Sequence, residues 1–142
     1  MSNHLQTANR FAKALDKEDY ATAGSLLSER CRYNCRGERH IGPEAIIAAY
    51  QGNGNAAKSF DAIRYESQVV AESPERYHVS FVDHITHAGL QHTFRCEQWI
   101  QLDESGQICQ IEHRDLPGQV AALQAFRSRL TLHHDPDSDQ HA

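Results

Sequence analysis

The sequence predicts an α+β domain in which a curved, mostly antiparallel sheet, capped by N-terminal helices, encloses a cone-shaped pocket. Three observations carry that prediction. Apolar residues repeat at helical spacing in the first part of the chain, long β runs follow one another from Phe60 onward, and the front helices are the only cover for the face such a sheet must bury. A strongly bent sheet under helices leaves a hollow, and a hollow in a small domain suits a small-molecule ligand.

Leu5, Ala8, Phe11, Ala12 and Leu15 recur three and four residues apart, the stripe of an amphipathic helix. Asp16 to Asp19 is a polar break. Asp19 is placed to cap a second short helix whose apolar side carries Tyr20, Ala23, Leu26 and Leu27. Cys31, Tyr33 and Cys35 then alternate with Arg32, Asn34 and Arg36, a strand that ends at Gly37, and a short strand through His40 and Ile41 follows. Gly42-Pro43-Glu44 opens a third helix, because Pro loses nothing in the first turn and Glu favours the positive end of the dipole. That helix carries Ile46, Ile47 and Tyr50 and is expected to stop by Gly52, with 52–59 as a loop. Four β runs come next, 60–71, 77–87, 91–102 and 107–115, separated by Ser73-Pro74-Glu75, Ala88-Gly89 and Asp103-Glu104-Ser105-Gly106; tight turns between them imply a meander. Val120, Leu123, Phe126 and Leu130 make a terminal helix after Leu116-Pro117-Gly118.

A chain of 142 residues fits one domain, read as 1–132, with the polar segment 133–142 (HHDPDSDQHA) expected to be a disordered tail. The net charge of −5, with no run of Lys or Arg, leaves no footprint for nucleic acid or an anionic membrane. No apolar stretch approaches the roughly 20 residues of a membrane span, and MSNHLQTANRF lacks the profile of a signal peptide, so the cytoplasm is the expected location. Cys31, Cys35, Cys96 and Cys109 fit that compartment as reduced thiols. Cys31 and Cys35 sit in one extended run, where their Cα atoms would be ~13 Å apart, too far for a disulfide or a shared metal.

Strand alternation proposes the residues that face the hollow. Cys31, Tyr33 and Cys35 share a face, as do Val79, Phe81, Asp83 and Ile85; Cys96, Gln98 and Ile100; and Cys109, Ile111, His113 and Asp115. Trp99 then points outward, with Ile108 expected near it on the outer face, and His40, His84, His87 and His92 are expected at the surface. His113 and Asp115 are two residues apart, on one face with ~6.6 Å between Cα atoms. A carboxylate there could hold one imidazole nitrogen and leave the other for a substrate, the arrangement of an acid–base histidine. Asp83 is the alternative partner or a second acid. A buried carboxylate is costly unless it has a donor, a raised pKa or solvent. A zinc site from Cys35, Cys96, Asp83 and His113 is chemically conceivable but has no local ligand motif, so no metal and no cofactor is expected.

The order of a first helix, DKEDYATAGSLLSERCRYNCRG, GPEAIIAAY, a hairpin containing VSFVDHITHAG and then QWIQLDESGQICQIEHRDLPG resembles the nuclear transport factor 2-like (SnoaL-like) superfamily over roughly residues 5 to 130. Ketosteroid isomerase, scytalone dehydratase and the SnoaL polyketide cyclases belong to it. The resemblance implies a cystatin-like roll with a small-molecule pocket, and a homodimer through the outer sheet face. Against the ketosteroid isomerase pattern, Phe11 stands where that enzyme has an oxyanion-hole tyrosine. Cys35 stands at its proton-shuttling aspartate and Gln98 at its protonated aspartate, and only Tyr50 is retained. That mechanism is therefore absent. What remains expected is a pocket lined by Phe11, Tyr33, Cys35, Tyr50, Cys96 and Gln98. His113 with Asp115 or Asp83 would serve there as acid–base in an isomerisation, cyclisation, dehydration or hydrolysis. The rival is a non-catalytic binding or dimerisation module of the same fold.

Overall fold

The computed structural model describes the backbone of residues 2–139 and the side chains of residues 3–130. Helix α1 (Ser2–Asp16) turns its predicted stripe inward, with Ala8, Phe11 and Ala12 fully buried, while Leu5 at its outer end stays largely exposed. Truncating a ring as enclosed as Phe11 removes ~3–5 kcal/mol of packing. The Asp19 carboxylate accepts from the Thr22 N–H at 3.2 Å and from its hydroxyl at 2.7 Å, which starts helix α2 (Tyr20–Ser25) as expected. Leu27, expected on that helix, instead begins strand β1 (Leu27–Cys35).

Strand β1 returns through Arg36-Gly37 into β2 (Glu38–Ile41). Both turn residues have positive φ, 49° and 83°, the twist a two-residue hairpin needs. Helix α3 (Pro43–Ala57) starts at the predicted proline but does not stop at Gly52. The segment expected as a loop stays helical because its second glycine serves packing: a Cβ on Gly54 would lie 2.5 Å from the Tyr20 hydroxyl oxygen. Close approach of α2 to α3, not a helix stop, explains glycine there.

The four β runs appear as β3 (Ala62–Ala71), β4 (Arg76–His87), β5 (Leu90–Leu102) and β6 (Ile108–Asp115). The six-stranded sheet has the order β2-β1-β6-β5-β4-β3, antiparallel throughout except for the parallel pair β1–β6. Its inner face carries two cores. Phe11, Cys31, Tyr33, Ile46, Val79, Ile100 and Ile111 pack under α1, α2 and α3. Phe60, Ile85, Phe94 and Phe126 pack under helix α4 (Gln119–Asp139). The backbone of α4 continues into the stretch 133–142 expected as a tail; side chains from residue 131 on and residues 140–142 lie outside the described residues. No helix among the described residues is long and apolar enough to cross a membrane.

One register detail departs from simple alternation. Gln101 pairs with Gln110, but Leu102 pairs with Ile108, so Cys109 is an extra residue, a bulge in β6. Ile108, expected on the outer face beside Trp99, is fully buried against the core instead, and Cys109 leaves the row it was assigned to. From Ile111 to Asp115 the predicted inward row holds.

Candidate functional site

A cavity of about 340 Å³ opens between the two cores, at the low end of the range for ligand pockets. Paired strands set its wall residues in rows: Val79, Gln98 and His113 side by side, then Phe81, Cys96 and Asp115, then Tyr65, Asp83 and Phe94, all but Val79 and Asp115 lining the cavity itself. Tyr33 and Cys35 reach it from β1 and Tyr50 from α3, and Leu123 and Arg127 line it from α4. Of the residues expected to line the hollow, Tyr33, Cys35, Tyr50, Cys96, Gln98, Asp83 and His113 do so. Phe11 does not. It lies beneath Tyr50, ring edge to face at 6.0 Å, as core. Asp115 stands at the rim of the polar end, behind His113.

That polar end is a connected set of hydrogen bonds. Arg36 grips Asp115 with two N–H groups, each 2.7 Å from a carboxylate oxygen, and holds its carboxyl down to about 2. Sequence alternation missed Arg36, because parity along β1 sends it outward; the positive-φ turn at Arg36-Gly37 swings it back. Asp115 Oδ1 accepts from His113 Nε2 at 2.8 Å, so the expected pair exists. The other ring nitrogen is not open to the cavity, however. His113 Nδ1 lies 3.2 Å from Gln98 Nε2, which also donates to the Tyr33 hydroxyl at 3.1 Å, and Gln98 Oε1 accepts from Tyr50 at 2.7 Å. Tyr33 and Tyr50 stack at 4.9 Å with planes 4° apart. Burial pushes both phenols up and keeps them neutral. The expectation of a histidine with one nitrogen free is therefore corrected: its free side was read from β6 alone, and the neighbour on β5 fills it.

Asp83 stands apart. Four residues along β4 and two strands across separate its row position from that of His113, on the order of 15 Å between Cα atoms, so the two are not partners. Its carboxyl makes no hydrogen bond or ion pair among the described residues. Burial, with Asp16 nearby, pushes it up to about 6. Asp16 also lines the cavity but is tied down, accepting from the Ser67 hydroxyl at 2.6 Å and facing Lys13 at 3.8 Å. Tyr65, the cross-strand neighbour of Asp83, and Tyr20 complete this wall; neither was anticipated, although Tyr65 follows from the alternation of β3. Burial raises the Cys96 thiol to about 12, so it is not poised as a nucleophile. No group of three or more His, Cys, Asp or Glu among the described residues is placed to hold a metal. Of the histidines expected at the surface, His84 pairs with Glu66 there, whereas His92 lies under α4, its ring 5.0 Å from that of Phe126 and its Nε2 buried without a partner.

No family model and no curated protein sequence matches the chain. Solved structures do. A protein of unknown function from Burkholderia pseudomallei, described as NTF2-like, superposes with a TM-score of 0.67 at 19% identity, covering 87% of this chain and 98% of the other. An LEH-like epoxide hydrolase of Mycobacterium tuberculosis gives 0.63 at 16% identity, over 93% and 96% of the two chains. Another M. tuberculosis protein, solved in complex with estradiol-17β-hemisuccinate, gives 0.60 at 15% identity, over 82% and 96%. At these identities the likeness is one of fold, and the fold is nuclear transport factor 2-like, as the sequence resemblance implied.

Proposed function

We propose that the protein binds a compact, partly apolar small molecule in this cavity and transfers a proton to or from it through Asp83. The observation that carries this is the Asp83 carboxyl, which lines the cavity beside Tyr65, Phe81 and Phe94 and makes no hydrogen bond or ion pair among the described residues. A buried carboxyl without a donor costs the fold stability, and a value near 6 suits a group that must both take and give a proton near neutral pH. Isomerisation, dehydration, cyclisation and hydrolysis all fit, since each needs a proton moved at one site. The steroid ester bound by one structural neighbour and the epoxide hydrolase activity named for another support a small-molecule ligand. His113 and Asp115 then serve to hold the polar end rather than to move protons.

Styrene oxide and phenyl acetate, two compact probes that need acid or base help to open, test the proposal. Their turnover by the parent should change through pH 6, rising if Asp83 acts as base and falling if it acts as acid. Asp83→Asn should lower it ~100-fold or more while the cavity still binds the probes. Turnover untouched by that substitution would refute Asp83 as the proton carrier.

A second reading, binding without turnover, rests on the Gln98 network, in which both ring nitrogens of His113 are already engaged. Pairing of two copies through the outer sheet face belongs with either reading. Trp99 sits there between the guanidinium groups of Arg76 and Arg114, at 5.6 and 5.4 Å.

A further inference from the structure

We infer that helix α4 is a lid on the cavity and that protonation of His92 beneath it releases the lid. The inference concerns access to the cavity and does not depend on which group moves a proton inside it.

α4 packs as a unit of its own. Its apolar residues Val120, Leu123, Phe126 and Leu130 belong to the smaller core with Phe60, Ile85 and Phe94, apart from the core under α1, α2 and α3. It leaves β6 through Leu116-Pro117-Gly118, where Gly118 has a φ of 80°, a left-handed conformation that glycine adopts without strain. The Arg95 N–H donates to Gln119 Oε1 at 2.8 Å and pins the first turn, so the helix would swing about that end. Leu123 and Arg127 line the cavity, and such a swing takes them out of its wall.

A stack of side chains holds α4 down. The His92 ring lies 5.0 Å from that of Phe126 with planes 22° apart, and the Arg129 guanidinium lies 5.7 Å from the Phe126 centroid. His92 Nε2 is buried there with no hydrogen-bond partner, and no carboxylate among the described residues pairs with it. On β4 its cross-strand partner is Ile85; His84, next along, pairs with Glu66 at the surface. Leu90 and Phe94 are its same-face neighbours on β5, and β6 pairs with β5 only from Cys96 onward. From α4 the charged groups at the stack are Arg129 and, over the Phe60 ring at 4.7 Å, Arg127.

A neutral imidazole fits this place. An imidazolium would bury an N–H without an acceptor beside a second cation. Burial and the Arg129 charge accordingly hold His92 below its ordinary value of 6.5. With α4 lifted, the ring meets water and charges freely. Closure is therefore strongest above pH 6.5 and weakens as pH falls below it, by at most about tenfold in the closed-to-open ratio per pH unit for one proton.

Amide hydrogen exchange of the full chain reads the lid, as the protection of 123–130 relative to that of β4 and β5. Between about pH 7.5 and 5.5 the parent should lose several-fold of that relative protection. His92→Leu and His92→Gln, one apolar and one polar, cannot charge, and both should hold it constant. Asp83→Asn should leave the loss in place, although it removes the other group that titrates in this range, raised to about 6. Access to the cavity is read by N-ethylmaleimide labelling of Cys96, which lines it, against Cys109, which does not; both thiols are raised, so their thiolate fractions fall in step with pH. The Cys96-to-Cys109 ratio should rise several-fold on acidification in the parent and stay flat in His92→Leu. A loss of protection that survives in both His92 variants, or vanishes in Asp83→Asn, would overturn the inference. So would a parent in which α4 keeps step with the sheet, or one whose labelling ratio stays flat while α4 loosens.

Discussion

Asp115 and Asp83 are the same residue type on one inner wall, and the structure treats them in opposite ways. Asp115 has a guanidinium and an imidazole against it and is held down to about 2, although its side chain is 29% exposed. Asp83 is more enclosed, makes no hydrogen bond or ion pair among the described residues, and is raised to about 6. Burial alone would raise both; what separates them is whether donors were supplied. One end of the cavity is therefore tied up in its own hydrogen bonds, and the other holds a carboxyl with no hydrogen bond or ion pair among the described residues.

The sharpest way to break that contrast is at Gln98, the member of the finished end that touches three partners. Gln98→Leu should cost about 3 kcal/mol, because Tyr33, Tyr50 and His113 lose their shared amide in a buried place. Chemical denaturation at pH 7 reads it directly, and a loss below ~1 kcal/mol would mean that the network is not closed as described.

At the other end the sign reverses. A carboxyl whose folded value is raised from 3.8 to about 6 adds stability below pH 3.8 and loses that contribution as pH climbs through 6. Asp83→Asn should accordingly stabilise the protein by about 2 kcal/mol at pH 7.5, less than the full shift implies because the cavity admits solvent. The gain should fade below pH 4. A destabilised variant at pH 7.5 would show that Asp83 has a donor after all.

The smallest effect is expected at Asp115→Asn, about 1 kcal/mol, since Arg36 is half in solvent and its pairing is screened. Here the folded value is depressed, so the contribution is present above pH 3.8 and disappears as pH falls toward 2. Parent and variant should converge in stability over that interval. Convergence near pH 6 instead would assign the effect to the wrong carboxylate.

Parity along single regular strands was enough to place Tyr33, Cys35, Phe81, Asp83, Cys96, Gln98 and His113 on the inner face, because each lies in an uninterrupted run. Failures came wherever a neighbour decided the outcome. Gly54 reads as a loop residue until the Tyr20 hydroxyl is seen against it. Arg36 reads as outward until the left-handed turn redirects it. His92 reads as surface because nothing local announces that Phe126 will cover it. The state of His113 depended on which residue of β5 lies opposite, and cross-strand register is not written in either strand alone.

The extra residue at Cys109 has no chemistry in the site, yet it sets the phase of everything downstream in β6. With it, Ile108 keeps its seat in the core and, five positions on, His113 still meets Gln98. Remove it, and the strand can honour only one of these appointments: either the isoleucine is stranded in water, or the imidazole and the carboxylate after it swing to the far side of the sheet. A single codon deletion would thus silence the polar end without altering any residue in it.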